Sequence, residues 1–238
     1  MNIPDNIRKT ADSFVCELRK IYADGLISAT LYGSAASGEH ASKHSNINIA
    51  VILDDTSLSS IKKISRFMNQ RKFLAVNPVF FTEEYVRTSG DVFPIEFLDM
   101  KENHATLYGK DVFKDLHIEL KNLRFQCEQE FKSKVINIKR LYLRATGKEF
   151  VKDLLFRSAT SGIHLLRNLV RLKGKQPSYD KGKVLDEAAA EFGIDVEPLR
   201  VILDAKKRNL RLDHKKIDSL MTSLVSTLES AADKVDRL

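Results

Sequence analysis

The chain of 238 residues has no Trp, two Cys and five Pro, and each scarcity excludes something. Cys16 and Cys127 lie far apart without metal-ligand spacing, so a zinc ribbon or a disulfide framework is ruled out and reduced thiols are expected. No apolar run reaches the length of a membrane span, and the opening MNIPDNIRKT has no signal-peptide core, which predicts a soluble, cytoplasmic protein. GxxxxGK[ST], HExxH and GxSxG are all missing, which removes the commonest ATPase, zinc protease and serine hydrolase chemistries. No internal repeat or low-complexity tract occurs.

Charge is present and unevenly spread. Residues 1–113 hold 13 Lys and Arg against 14 Asp and Glu, whereas residues 114–238 hold 26 against 18. The net +7 therefore belongs to the C-terminal half. Such asymmetry suits a nucleic-acid or other polyanionic partner, although Lys and Arg also populate solvated helix faces.

Periodicity divides the chain at the same place. The first half alternates: a helix over Ile7 to Tyr22, a strand from Leu26 to Tyr32, and a second strand from Asn46 to Leu53. A helix from Leu58 to Phe73 follows, then a third strand from Ala75 to Phe81 whose Pro78 belongs at an edge or bulge. Thr82 caps a short helix, and Phe93 to Met100 is expected as a fourth strand. The second half is helical throughout, with segments near 119–146, 150–172, 181–192, 196–209 and from 214 onward, bounded by Gly147, Gly174 and Pro177. The expected architecture is α+β: a mixed sheet flanked by helices over 1–113, then an antiparallel helical bundle over 114–238.

The stretch Leu31 to Leu53 concentrates the chemistry. Gly33-Ser34 closes one strand and opens a short helix, a place where backbone amides can meet phosphate. Asn46 and Asn48, two apart, aim at the same side. Glu96, flanked by Ile95, Phe97 and Leu98 on the expected fourth strand, is a carboxylate in apolar company and needs a partner or a metal, with a solvated edge position as the alternative; Asp99 is the competing candidate, on the opposite face in a regular strand. His40, Lys43 and His44 precede the Asn pair and can meet phosphate or simply solvent.

Gly33, Ser34, Gly38, Ser45 and the frame Asn46-Ile47-Asn48-Ile49 resemble the DNA polymerase β-like nucleotidyltransferase superfamily, which includes the antibiotic nucleotidyltransferases. The resemblance implies nucleoside triphosphate at Gly33-Ser34 and two Mg²⁺ ions held by an Asp-x-Asp pair plus a third acidic residue, the place of Glu96. This chain has Asn at both paired positions. A neutral amide does little to offset Mg²⁺ dehydration. The helical half resembles the C-terminal domain of the kanamycin type and the HEPN family, and Arg208 with His214 fits the HEPN spacing, as does Arg157 with His164.

Three functions stay open on these residues. The first is a nucleotidyltransferase-fold protein with a degenerate two-metal site that binds a nucleotide or a partner. The second is an active transferase moving a nucleoside monophosphate to a hydroxyl. The third is a basic nucleic-acid-binding or antitoxin-like module. A protein partner or a second copy of the chain is compatible with each.

Overall fold

The computed structural model describes residues 3–37 and 46–238. They fall into two compact units, 1–119 and 120–238. The division lies six residues beyond the expected Phe113 boundary, because Phe113 and Leu116 pack into a core of the first unit.

The first unit is a four-stranded mixed sheet of order β3-β2-β1-β4. Its strands are β1 (Leu26–Tyr32), β2 (Ile47–Leu53), β3 (Val76–Phe81) and β4 (His104–Gly109). β1 runs antiparallel to both β2 and β4, and β2 parallel to β3. β2 is nearly continuously buried, as a central strand covered on both faces must be. Pro78 sits on β3, the edge its missing N–H demands.

Helix α1 (Asp5–Tyr22) lays Phe14, Val15 and Leu18 on one face of the sheet, against Ile49, Val51 and Leu53. The single helix expected over 58–73 is instead broken into α3 (Leu58–Lys62), α4 (Ser65–Met68) and a 3₁₀ turn, after the four-residue α2 (Ser34–Ser37). The break lets Phe67 and Phe73 meet Phe14 edge-on, with ring centroids 5.4 to 5.5 Å apart. Edge-to-face packing of three aromatic rings adds to their burial what a straight helix would forfeit.

The other face carries α5 (Glu83–Thr88), capped by the Thr82 hydroxyl accepting from Tyr85 N–H at 3.1 Å, and α6 (Pro94–Glu102). The expected strand over 93–100 is therefore a helix. Proline at the first helical position favours that state, and the buried Phe97 and Met100 recur at helical spacing. The fourth strand is the next segment, HATLYG.

The second unit consists of α7 (Leu120–Leu143), α8 (Lys148–Leu172), α9 (Lys181–Phe192), α10 (Glu197–Lys207) and α11 (His214–Asp236). Its core is built mainly of leucine, with Leu155, Leu166, Leu169, Leu224 and Leu228 fully enclosed together with Phe131. Arg167 and Arg171 are buried on α8, the former with its guanidinium 4.0 Å from the Tyr179 ring centre and the latter donating to Asn168 Oδ1. Burial pushes the Cys127 thiol up to about 12 against the lowering effect of Arg171, so it stays protonated and inert. Both cysteines are free thiols. No described helix is long and apolar enough to cross a membrane.

Gly109 ends β4 at φ +71, where an added Cβ would lie 2.0 Å from the Ile27 carbonyl oxygen. Gly109→Ala is expected to cost about 3 kcal/mol or more, from left-handed strain plus a backbone clash. Urea unfolding of the first unit measures it.

Candidate functional site

Strand pairing carries the site. Tyr32 on β1 pairs with Asn48 on β2 and with His104 on β4, and Asn48 pairs in turn with Asn77 on β3. Register partners share a face, so His104, Tyr32, Asn48 and Asn77 form one polar row across all four strands. The row lies one step beyond the apolar packing of Ala50 and Ile52 against α6. Asn46 is exposed and immediately precedes β2, at the same parity as Asn48.

Asn48 is the hub of this row. Its Oδ1 accepts from Asn77 Nδ2 at 3.1 Å, and its Nδ2 lies 3.5 Å from the position a Cβ on Gly33 would take. Gly33 has φ +76, donates its N–H to the Asn103 carbonyl at 2.9 Å and accepts from Ala36 N–H at 2.9 Å. The turn needs glycine for its left-handed backbone rather than for space. The Gly-Ser turn and the Asn frame are thus neighbours in space as well as in sequence.

Glu96 lies elsewhere than on a strand: it is exposed, in the first turn of α6. The strand alternation that would have aimed it at Asn46 and Asn48 does not exist. In the helix Glu96 and Asp99 are three residues apart and share a side, where a strand would have set them on opposite faces. Asp99 is near enough to Tyr32 to act on it. Burial first, and the Asp99 charge second, push the Tyr32 phenol up to about 12, so it remains a hydrogen-bond donor at neutral pH.

Asn77 was legible in the sequence only as an edge-strand residue beside Pro78. Nothing in its local pattern marks it, since its place beside Asn48 follows from the parallel β2–β3 register. His40, Lys43, His44, Gly38 and Ser45 lie outside the described residues.

At the other end of the row, His104 is fixed by two acceptors. Its Nδ1 is 3.0 Å from the Lys101 carbonyl oxygen and its Nε2 3.0 Å from Asp111 Oδ2. Asp111 Oδ1 also accepts from the N–H groups of Phe113 and Lys114 at 3.1 Å each, tying the segment after β4 to the sheet. Burial alone would raise the Asp111 carboxyl, but the His104 bond and charge and the two amides outweigh it and hold the carboxyl below its ordinary 3.8.

In the helical unit, Arg208 Nε pairs with Asp204 Oδ1 at 2.8 Å and Arg157 Nε with Asp153 Oδ2 at 2.8 Å. Each carboxylate lies one turn back on the same helix, as on an ordinary solvated face. His214 opens α11 and is exposed.

No protein-family model and no curated protein matches the chain. Among solved structures it is similar to spectinomycin adenyltransferase AAD(9) from Enterococcus faecialis, determined with ATP and spectinomycin. The TM-score is 0.61 at 13% identity, over 93% of this chain and 99% of that one. At this identity the likeness shows the fold: a nucleotidyltransferase-type mixed sheet followed by a helical bundle.

Because the Asp111 carboxyl is lowered on folding, it stabilises the folded state above the ordinary carboxylate range and ceases to do so as pH falls below about 4. Asp111→Asn is expected to cost the first unit about 1–2 kcal/mol at pH 7 and to flatten its acid dependence. Chemical unfolding at pH 7 and pH 3 tests this: an equal loss at both would show that the charge has no role.

Proposed function

We propose that this chain is a nucleotidyltransferase-fold protein that binds a nucleotide at the Gly33-Ser34 turn beside the carboxamides of Asn46, Asn48 and Asn77, with transfer chemistry impaired. The observation that carries this is the Asn77–Asn48–Gly33 arrangement, in which neutral carboxamides stand beside the turn. Carboxamides donate and accept hydrogen bonds but contribute no charge, so they suit a base, a sugar hydroxyl or a phosphate oxygen better than a divalent cation. Mg²⁺ does not fit this donor set, and among the described residues no three His, Cys, Asp or Glu side chains converge on one point. Among the described residues the donor set at the turn therefore favours ligand binding through amides and Tyr32 over a two-metal transfer step. The fold likeness to a protein determined with ATP adds support for a nucleotide as the ligand class.

Active transfer of a nucleoside monophosphate to a hydroxyl is the second reading, and Asp99 favours it by placing a carboxylate beside Tyr32. Labelled AMP transfer lost on Asp99→Asn, with the fold intact, would support this reading. No transfer by the wild-type chain would remove it.

Titration calorimetry with ATP and the other nucleoside triphosphates tests the preferred reading. Binding is expected to be the same in Mg²⁺ as in EDTA to within about twofold, a difference of less than ~0.5 kcal/mol. Asn48→Asp is expected to weaken binding in EDTA by about tenfold, or ~1.4 kcal/mol, by setting a carboxylate against phosphate, and to make binding depend on Mg²⁺. Absence of binding in both buffers would sink the proposal. If Asn46→Asp with Asn48→Asp takes up Mg²⁺ no better than the wild type, the site is misplaced.

A further inference from the structure

The helical unit carries a feature that its own stability does not call for. Six of the eleven residues from 206 to 216 are Lys or Arg, against one Asp. α10 ends in a reversal at Asn209, which takes φ +51, with Leu210 N–H donating to the Ala205 carbonyl at 2.9 Å and Asn209 N–H to that of Lys206 at 3.3 Å. This left-handed cap turns the chain sharply after Lys206, Lys207 and Arg208 and leads it back into α11, whose N-terminus Asp213 caps by accepting from Lys216 N–H at 2.7 Å. Lys206, Lys207, Arg211, Lys215 and Lys216 are all exposed.

Cations favour helix C-termini, which suits Lys206 and Lys207, whereas Lys215 and Lys216 stand in the first turn of α11, where the helix dipole is positive and the Asp213 cap is the carboxylate that faces it. α9 has the same arrangement, with Lys181 and Lys183 in its first turn behind an Asp180 cap that accepts from Lys183 N–H at 2.9 Å. Lys181 is close enough to Lys206 for the two charges to oppose each other: burial first, then the Lys206 charge, lowers the Lys181 ammonium. Lys206 Nζ is anchored by the Thr160 hydroxyl of α8 at 3.1 Å rather than by a carboxylate. One Asp among six Lys and Arg leaves this exposed segment with an excess of positive charge that an external polyanion can meet.

We propose that Lys181, Lys206, Lys207, Arg211, Lys215 and Lys216 form a binding surface for the phosphate backbone of nucleic acid. Several like charges spread over three helices match a ligand with closely repeated negative charge better than a single small anion. No aromatic residue occurs between 206 and 216 for stacking on bases, so contact is with phosphate and independent of sequence. In the same segment Leu210 is exposed but Leu212 is buried, which leaves no apolar row for insertion into lipid. These residues belong to the second unit and the turn at Gly33 to the first, and the proposal does not depend on the nucleotide reading.

Fluorescence anisotropy of the full chain with labelled duplexes of about 20 base pairs tests the proposal, and affinity is expected to fall steeply as salt rises from about 50 to 200 mM. The triple variant Lys207→Gln, Arg211→Gln, Lys215→Gln is expected to bind at least about tenfold more weakly and to lower the salt slope by roughly 2–3, with an unchanged helical circular dichroism spectrum. Lys9→Gln with Lys20→Gln, on α1, is expected to bind as the wild type does. The proposal is overturned by lack of saturable binding at low salt, by a triple variant equal to the wild type, or by tighter binding to polyglutamate or anionic vesicles than to either RNA or DNA duplex. ATP calorimetry on the triple variant separates the two proposals, because the nucleotide site should be untouched.

Discussion

The pairing of β1 with β2 is the constraint on which the first unit rests, since each residue of the polar row takes its position from that register. With Tyr32 opposite Asn48, β1 ends at the point where the chain must turn away, and Gly33 supplies the left-handed conformation the turn requires. β3 then adds to the far side of β2 in parallel and brings Asn77 level with Asn48. A slip of one residue would send Asn48 into the core facing α1 and Ile49 out to the row. The enclosed Ile49, Val51 and Leu53 oppose such a slip, because all three would leave their packing against α1 at once.

The chemistry of the row follows from neutrality. Carboxylates at these positions would repel one another and call for a cation; carboxamides can bond to each other directly, and Asn77 to Asn48 is such a bond. That bond joins β2 to β3 through side chains as well as through the backbone. The likeness to an antibiotic adenyltransferase belongs to the backbone, while the side chains at the turn define what the site can hold.

The two units divide their electrostatics as well as their folds. The sheet unit holds a row of uncharged carboxamides beside Tyr32, while in the helical unit cations crowd the α10–α11 connection. One Asp, the cap of α11, stands among them, whereas on α8 Arg157 meets a carboxylate one turn away.

Local pattern determined much of this protein. The apolar periods of α1, α8, α9 and α11, the helix stops at Gly147 and Gly174, the edge placement of Pro78 and the Gly33-Ser34 turn all follow from forces acting within a few residues. The segment Phe93 to Met100 shows where short-range reading fails. Its apolar residues suit either a strand or a helix, and Pro94 at the start with Phe97 and Met100 against the sheet decides for the helix, which moves Glu96 off the row. Asn77 and the His104–Asp111 bond were hidden for a different reason. The first depends on which strand lies beside β2, the second on how the chain folds back after β4, and contacts of that kind arise only when distant segments are packed together.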